Sequence, residues 1–282
     1  MKTPIWFFSY LLVESLQRFP CVLNASEIQR KLGVAKNTAT LMKRRLQLFH
    51  TQMIPGIKEM LVQKYKSINE GIQLPETGDL SAISKQITIV HMDGLALFSA
   101  SQRANGGRAR WKHTGQTASV YLTDSVAEEK GRLQIGTLVH TMAVPKGPVF
   151  LTSLPSFKQK HVQPLLDFLP ENTPIFSDDG YPWLSRYNSN HRSINHSARA
   201  KDRKRNVWAR NRYSKDGVNN NCAEGTQRIV KHAFISGYGY FRPENSQMYL
   251  NEYSALRGIR VYGFANICEM RRGLGFRDSN VF

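Results

Sequence analysis

The segment Thr173–Trp183 combines the pattern of a buried strand with two adjacent carboxylates. Its apolar run at 174–176 predicts a short buried strand. Asp178 and Asp179 follow that run, and Gly180 allows the chain to turn after them. A carboxylate at the C-terminal end of a buried strand is unusual for structure alone and well placed to hold a metal ion. From this pattern, either aspartate satisfies the requirement.

Two further acids have comparable surroundings. Asp93 follows a strand-like run, residues 87–92, and Glu224 lies in a segment that predicts the first turn of a helix. Two-metal phosphoryl transfer needs carboxylates that hold the ions roughly 3.5–4 Å apart. Mg²⁺ takes oxygen ligands and keeps several waters, so few protein carboxylates are required. We therefore predict one site for two Mg²⁺ or Mn²⁺ ions, with Asp93, Asp178 and Glu224 as catalytic residues and metal ligands.

These acids require a sheet and a helix to position them. Strands are predicted at 87–92, 118–122 and 133–144, an amphipathic helix at 157–169, and a strand that ends at Asp178. Strands and helix in this order, with acids after the first and fourth strands, predict an RNase-H-like α/β domain over residues 87–257. The histidines beside these elements are assigned lesser roles. His91 is interpreted as a supporting partner of Asp93 or as a buried strand histidine, and His191 and His196 as residues of a basic loop without zinc partners.

The N-terminal 70 residues read as a small all-α domain. Helical periodicity is present at 4–19 and 53–70, and the intervening segment 24–49 has the pattern of a helix-turn-helix. A polar N-cap, a glycine turn and an apolar seam define that motif, although an ordinary helical hairpin has the same pattern. The outward residues predicted to contact DNA are Lys36, Asn37, Thr38, Lys43 and Arg44.

The remaining segments are predicted from composition. Residues 71–86 read as a linker, which places a domain boundary near residue 80, and a helix is predicted at about 245–256. Residues 258–282 read as a basic, loosely ordered tail.

Basic residues are in large excess. The 282-residue chain carries 39 Lys and Arg against 21 Asp and Glu, a net charge of +18. Nucleic acid is the commonest partner for such a charge, although a ribosome-associated or merely basic protein has it too. The insertion at about 186–216 is the most basic segment, with seven basic residues and one aspartate between 196 and 212. Trp208 and Tyr213 are interleaved with them, and we predict phosphate contacts for Arg203, Lys204 and Arg205.

Several classes of protein are disfavoured. The three cysteines are isolated, which gives neither a zinc ribbon nor a disulfide framework and fits a reducing cytoplasm. The apolar N-terminal stretch at 1–20 includes Glu14 and lacks a cleavage site, so it predicts a core helix rather than a signal peptide. No apolar stretch reaches the length of a membrane span, so no membrane partner is expected. No nucleotide-binding loop is present, so ATP is not expected.

The order of the motifs resembles that of DDE-type bacterial insertion-sequence transposases, in the branch related to Merlin DNA transposons within the retroviral-integrase superfamily. The segment 175–179, with Trp183 following, resembles the second-acid motif and favours Asp178 over Asp179. The third motif is matched by Asn221, Glu224, Lys231, Gly237 and Tyr238, and the closing helix by residues 249–257. The similarity covers most of residues 20–257.

This resemblance implies a helix-turn-helix domain followed by a retroviral-integrase-like catalytic domain. It implies an enzyme that binds double-stranded DNA, both at the terminal inverted repeats and at the target, and that acts as a homo-oligomer. Mg²⁺-dependent cleavage would expose a 3′-hydroxyl that then attacks a target phosphodiester. The expected location is the cytoplasm, associated with the nucleoid. Asn221 is expected to orient Glu224 or to contact the DNA backbone.

Three departures from the family pattern keep alternatives open. Gly94 stands where the family usually has a second acid, Asn219 stands where it has a histidine, and the N-terminal zinc ribbon of many members is missing. The first alternative is an inactive or repurposed copy that only binds DNA. The second is an RNase-H-like nuclease that cleaves without strand transfer.

Overall fold

The computed structural model describes residues 4–98, 136–196, 213–238 and 246–275. Within these ranges the protein is mixed α/β, with helices on both faces of a five-stranded sheet. The helices are α1 (Ile5–Arg18), α2 (Ala25–Leu32), α3 (Lys36–Asn69), α4 (Ile83–Gln86), α5 (Gln159–Leu166), α6 (Leu184–Tyr187), α7 (Asn221–Ala233), α8 (Ser246–Tyr262) and α9 (Phe264–Gly273). A π-helical turn, Phe234–Tyr238, continues α7. Among the helices in these ranges, none is long and apolar enough to cross a membrane.

The sheet is mixed, with strand order β3-β2-β1-β4-β5. Its strands are β1 (Val90–Phe98), β2 (Gly136–Ala143), β3 (Val149–Ser153), β4 (Ile175–Asp178) and β5 (His191–Ile194). The first three strands pair antiparallel, whereas β4 runs parallel to β1 and β5 runs parallel to β4. A separate hairpin of β6 (Ser214–Lys215) and β7 (Val218–Asn219) precedes α7.

Some strand predictions are confirmed and others are wrong. β4 ends at Asp178 as predicted, and β2 lies within the predicted strand at 133–144. β1 begins later than predicted and continues to Phe98, so Asp93 lies inside the strand and not at its end. β3 and β5 were not predicted, and β5 removes residues 191–194 from the proposed basic insertion. The predicted strand at 118–122 lies outside the described residues.

Side chains alternate between the two faces of the sheet, and each face packs against its own hydrophobic cluster. Val90 and Met92 of β1 face a cluster formed with α3, α5 and α9, whereas Leu95 faces a second cluster formed with α7 and α8. Successive side chains in a strand point to opposite faces. Asp93 therefore projects from the same face as Leu95, towards α7.

The N-terminal helices include one long helix where two were predicted. α3 runs without interruption from Lys36 to Asn69, although Pro55 lies within it. Met53, Ile57 and Leu61 are fully buried on either side of the proline, so tertiary contacts stabilise a helix that local propensity would end. Gly56 permits the close approach of α9, because a Cβ there would overlap the Arg271 side chain.

The C-terminal helices cover the edge of the sheet that β3 leaves open. Gln247 of α8 accepts a bond from the Ser153 backbone at 2.8 Å and donates to the Leu151 carbonyl at 3.1 Å. The Gln247 side chain therefore satisfies backbone groups that would otherwise be unpaired at an edge strand. The predicted loose tail is wrong up to residue 275, since α9 packs on α3 with Ile267 fully buried.

The segment at 71–86, predicted to be a linker, is packed against the sheet. Leu74 and Leu80 are buried in a cluster with Phe176 of β4 and Ile194 of β5. Gly217 in the β6–β7 turn lies so close to residues 80 and 81 that a Cβ would overlap their backbone. The division of the chain into two domains stays a prediction, but these residues are not a free connection.

Candidate active site

The pairing of β1 with β4 brings Asp93 and Asp178 together. The two strands are parallel, and Met92 of β1 is paired with Ser177 of β4. The next residues along the two strands are Asp93 and Asp178, whose side chains project from the same face of the sheet. Two of the three predicted acids are therefore neighbours on adjacent strands.

The turn after β4 fixes the Asp178 carboxylate. The backbone N–H of Gly180 donates to Asp178 Oδ1 at 3.0 Å. A Cβ on residue 180 would lie 2.9 Å from that same oxygen, so glycine permits this close approach. Asp179 is exposed and lies beyond the end of the strand. The geometry favours Asp178 as the second acid.

Helix α7 supplies the third acid. Glu224 lies in its first turn, as predicted, and α7 packs against β1 and β2 on the face from which Asp93 projects. The Asn219 side chain accepts a bond from the Asn221 N–H at 3.2 Å, so the residue that replaces the expected histidine helps to start the helix. The Asn221 side chain is exposed, and its proposed role stays a prediction.

Burial and neighbouring negative charge raise the pKa of Asp93 to about 7. Burial is the largest cause, the Asp178 carboxylate is the next, and Glu224 also raises the pKa. The Gly94 N–H opposes them by donating to Asp93 Oδ1 at 2.6 Å. The Gln227 amide contacts the carboxyl and also lowers its pKa, although it does not reach hydrogen-bond geometry. The pKa of Asp93 therefore responds to both other acids, and Asp93 lines the same groove as Glu224.

The environment of Asp178 leads to the same conclusion. Burial is the main cause that raises its pKa, and the Gly180 N–H and the His196 ring oppose that shift. Burial raises the pKa of the Tyr181 hydroxyl, and the negative charges of Asp93 and Asp178 raise it further. Tyr181 therefore lies close to both carboxylates. The Tyr181 hydroxyl is 3.0 Å from His140 Nδ1, which anchors the ring in the core.

Gly94 stands where the family resemblance would predict a second acid, and its surroundings favour a glycine. The Phe157 ring packs against Gly94, and a Cβ at residue 94 would overlap it. The same ring contacts Tyr181, with the ring centroids 5.9 Å apart. Gly94 therefore lets an aromatic side chain fill the space behind Asp93.

His196 belongs to the site, and sequence reasoning missed it. Its Nε2 lies 3.4 Å from Glu224 Oε1, within ion-pairing distance. His191, assigned to the same loop, instead lies in β5 with its Nε2 2.8 Å from Ser177 Oγ. No local signal distinguishes these histidines, because their positions depend on the pairing of β5 with β4. His91 is buried against Phe176, and burial lowers its pKa to about 4.

The carboxylates suit a hard cation in chemistry but are not gathered around one. Within the described residues, no group of three or more His, Cys, Asp or Glu side chains is already arranged to hold a metal ion. The donors are nevertheless all oxygens, as Mg²⁺ and Mn²⁺ prefer, and Mg²⁺ is usually held by one or two carboxylates. The repulsion that raises the pKa of Asp93 is also the interaction that a cation would remove. The donor set therefore fits such an ion.

A groove of about 470 Å³ leads from the acids along α7. Asp93 and Glu224 line it, and exposed basic side chains follow Glu224 along the helix. The lining residues beyond the acids are Gln227, Arg228, Lys231 and His232. Residues three or four positions apart on a helix share a face, so acidic and basic groups form one continuous strip.

The predicted DNA-binding residues of the N-terminal helices have different environments. Lys36 and Asn37 are exposed and Thr38 is partly exposed at the start of α3. The turn before them is confirmed, since Gly33 has a φ of 64° and the Asn24 and Glu27 side chains form a capping box on α2. These observations leave a polar helix end free to contact a partner.

Lys43 is not outward-facing, and that prediction is wrong. Its Nζ is buried and lies 2.5 Å from Glu252 Oε1 on α8. Arg44 is partly buried, with its guanidinium 3.5 Å from Met248 Sδ. The predicted contacts by Arg203, Lys204 and Arg205 lie outside the described residues.

Comparisons with known proteins identify no similar protein. No protein-family model matches this chain, and no curated protein or solved structure matches it either.

Proposed function

We propose that this protein is a transposase that cleaves DNA at the ends of a mobile element and joins those ends to target DNA. The observation that carries the proposal is that Asp93 on β1 neighbours Asp178 on β4 and lines one groove with Glu224 of α7, although the three acids come from separate parts of the chain. Repulsion between partly buried carboxylates costs stability, and such groups are concentrated at functional sites.

The sheet supports the same class of enzyme. Three antiparallel strands followed by two parallel ones, in the order β3-β2-β1-β4-β5, are the arrangement expected of an RNase-H-like domain. In that arrangement the first acid lies on β1, the second at the end of β4 and the third on a later helix. Asp93, Asp178 and Glu224 occupy those elements here.

The three acids would hold divalent metal ions against the scissile phosphate. Bound Mg²⁺ or Mn²⁺ would supply an activated oxygen nucleophile and charge stabilisation of the leaving oxygen. The protein's own contribution is positional. The Gly180 N–H orients Asp178, the Gly94 N–H orients Asp93, and Tyr181 with Phe157 excludes water from the buried side of both.

The basic face of α7 would bind the DNA backbone beside the cut. Arg228 and Lys231 are exposed, and they line the same groove as Asp93 and Glu224. Cationic side chains fix the register of a duplex by contacting phosphates, without reading its sequence. A phosphate held along this strip would deliver the adjacent phosphodiester to the acids.

The N-terminal helices would read the DNA sequence. α2 and α3 are joined by a glycine turn, and Lys36, Asn37 and Thr38 lie at the N-terminal end of α3. In helix-turn-helix proteins this end of the second helix contacts base edges in the major groove. We propose these residues for recognition of the terminal inverted repeats, and Lys43 is no longer among them.

The basic segment predicted to contact phosphates is attached beside the acids. His196 precedes it and Tyr213 follows it, and the two rings lie 5.6 Å apart, with His196 next to Glu224. The sequence between these residues carries seven basic side chains. The role of Arg203, Lys204 and Arg205 in holding DNA stays a prediction.

The test is a cleavage and strand-transfer assay on labelled DNA from the flanks of the coding sequence, which would contain the inverted repeats. Wild type is compared with Asp178→Asn and with Asp179→Asn, in Mg²⁺, in Mn²⁺ and in EDTA. We expect Asp178→Asn to lose more than about 100-fold in rate, beyond the loss typical of residues that only support a ligand. Asp179→Asn should stay within a few-fold of wild type, because its side chain is exposed.

The alternatives give different results in the same assay. Metal-dependent cleavage without joined products would indicate a nuclease. Salt-sensitive binding of the repeats without cleavage, in wild type and both variants, would indicate a DNA-binding regulator and would contradict the proposed activity.

A further inference from the structure

His196 lies where the chain leaves the sheet beside two of the acids. β5 is parallel to β4, and its last residue, Ile194, is paired with Asp178. Two residues further on, His196 Nε2 is 3.4 Å from Glu224 Oε1. Its ring also interacts electrostatically with the Asp178 carboxylate. One imidazole therefore contacts the acid on α7 and lies close to the acid on β4.

The ring nitrogens of His196 are buried and lack hydrogen bonds. The side chain is 23% exposed, yet neither Nδ1 nor Nε2 has a hydrogen-bond partner within the described residues. The Tyr213 ring packs against the imidazole at a centroid distance of 5.6 Å and an angle of 46°. Buried polar atoms without partners are rare and call for a specific explanation, such as a bound ion or water. The acidic site is adjacent, because Nε2 lies 3.4 Å from Glu224 Oε1.

We propose that His196 is a positioning residue that holds the Glu224 carboxylate in place to receive a divalent cation. This inference depends on the proposed function, because it takes Asp93, Asp178 and Glu224 as the metal ligands. A carboxylate ligand needs a hydrogen-bonding partner to fix its direction, and losing such a partner typically costs 10–100-fold in metal affinity. The contact requires only an N–H donor at the position of Nε2, which lies 3.4 Å from Glu224 Oε1, and the Tyr213 ring packs against the imidazole that carries it.

The experiment measures binding of Mn²⁺ to the full-length protein without DNA, from the electron paramagnetic resonance signal of the free ion. Wild type is compared with His196→Ala, His196→Gln and Asp93→Asn. His161→Ala is the matched control. His161 lies on α5, is half-buried, forms a hydrogen bond with Ser156 and is not part of the site. Thermal unfolding of each variant in EDTA reports whether the fold is retained.

We expect His196→Ala to bind Mn²⁺ roughly 10-fold or more weakly, with an unfolding temperature close to that of wild type. His196→Gln should recover most of the affinity, since its amide supplies an N–H donor. His161→Ala should bind as wild type does. Recovery by glutamine separates a positioning role from direct coordination by the imidazole.

Two results would overturn the inference. Wild-type affinity in His196→Ala would mean that Glu224 needs no partner. An equal loss in His196→Ala and His196→Gln would mean that the ring does more than position Glu224. A failure of the proposed function is distinguishable, because wild type and Asp93→Asn would then bind Mn²⁺ equally weakly.

Discussion

Glu252 is fully shielded from water and Asp93 is partly shielded, but their electrostatic surroundings are opposite. Glu252 on α8 is fully buried, and it receives Lys43 Nζ at 2.5 Å and Gln47 Nε2 at 3.1 Å from α3. The Lys43 ammonium also lies over the Tyr238 ring, 5.1 Å from its centroid. This carboxylate has its counter-charge within the fold.

Asp93 has the reverse environment. Its charged neighbours are the carboxylates of Asp178 and Glu224, and together with burial they raise its pKa to about 7. The groups that favour its ionised form are one backbone N–H and one amide, neither of which carries a charge. Among the described residues, no cationic side chain is one of the groups that set the pKa of Asp93.

The difference separates a structural charge from a binding site. A buried ion pair is destabilising to break, because removing one partner leaves the other unpaired. A buried carboxylate that repels its neighbours lowers stability as it ionises. A cation that binds there gains a favourable electrostatic interaction with that carboxylate. Glu252 links α8 to α3, whereas Asp93 is a proposed ligand of a divalent cation.

The largest expected effect is on the structural pair. Glu252→Ala leaves the Lys43 ammonium buried without a counter-charge, and should lower the free energy of unfolding by about 3–5 kcal/mol. Urea denaturation measures this loss. Glu269→Ala is the control, since Glu269 is exposed, and it should change the free energy by less than about 0.5 kcal/mol. Equal small losses in both variants would contradict the structural role of Glu252.

Replacing Asp93, unlike replacing Glu252, should raise the free energy of unfolding at neutral and higher pH. The Asp93 carboxyl keeps a proton up to a pKa of about 7 when folded, but only up to its ordinary value of 3.8 when unfolded. Wild type should therefore lose stability relative to Asp93→Asn as the pH rises from about 4 to 7. At pH 8 in EDTA the variant should be more stable by on the order of 1–3 kcal/mol.

Urea denaturation of both proteins between pH 4.5 and 8 measures the difference at Asp93. Asp179→Asn serves as the control, because that carboxylate is exposed. A difference between wild type and Asp93→Asn that does not vary with pH would argue against repulsion at the site.

A smaller effect is expected from moving one ligand. In Gly180→Ala the new Cβ would lie 2.9 Å from Asp178 Oδ1 and displace that carboxylate, so Mn²⁺ affinity should fall about 10-fold. Gly225→Ala on α7 is the control, since a Cβ there meets nothing within 4 Å. That variant should keep its affinity and gain about 0.5–1 kcal/mol of stability. Similar metal affinity in the two variants would contradict the importance of the turn after β4.

The smallest effect is expected at the basic face of α7. Lys231→Gln removes one proposed phosphate contact, so DNA affinity should fall a few-fold and the slope of log affinity against log salt should decrease by about 1. Fluorescence anisotropy of labelled duplex DNA at several salt concentrations measures the slope. Lys160→Gln, an exposed lysine on α5, should leave it unchanged.

Local patterns correctly predicted the secondary-structure positions of two of the three acids. β4 is a short apolar run closed by a carboxylate and a glycine, and Glu224 is in the first turn of a helix with apolar periodicity. Both signals are contained in a few consecutive residues. The mixed α/β class followed from the same patterns, and the hairpin at 214–219 had a signal that was overlooked, the Asp216-Gly217 turn.

The sequence pattern ends the first strand at residue 92, before Gly94, because glycine is unfavourable inside a strand. Gly94 instead continues the strand, since the Phe157 ring fills the space beside it. That ring comes from a segment more than sixty residues away. The consequence for Asp93 is a position within the strand rather than at its end.

Long-range contacts explain the remaining errors. Lys43, Gln47 and His50 look like a polar helix face, but Glu252 and the body of α8 cover it. His196 reaches Glu224 only because β5 pairs with β4. Neither partner is near in sequence, so neither position could be predicted from local pattern.

The most direct test of the account is a crystal structure of the protein soaked in Mn²⁺, with diffraction measured above and below the manganese absorption edge. We predict anomalous density beside the carboxylates of Asp93, Asp178 and Glu224, and none at the Lys43–Glu252 pair. Anomalous density absent from the three acids, in crystals that bind Mn²⁺ elsewhere, would contradict the account.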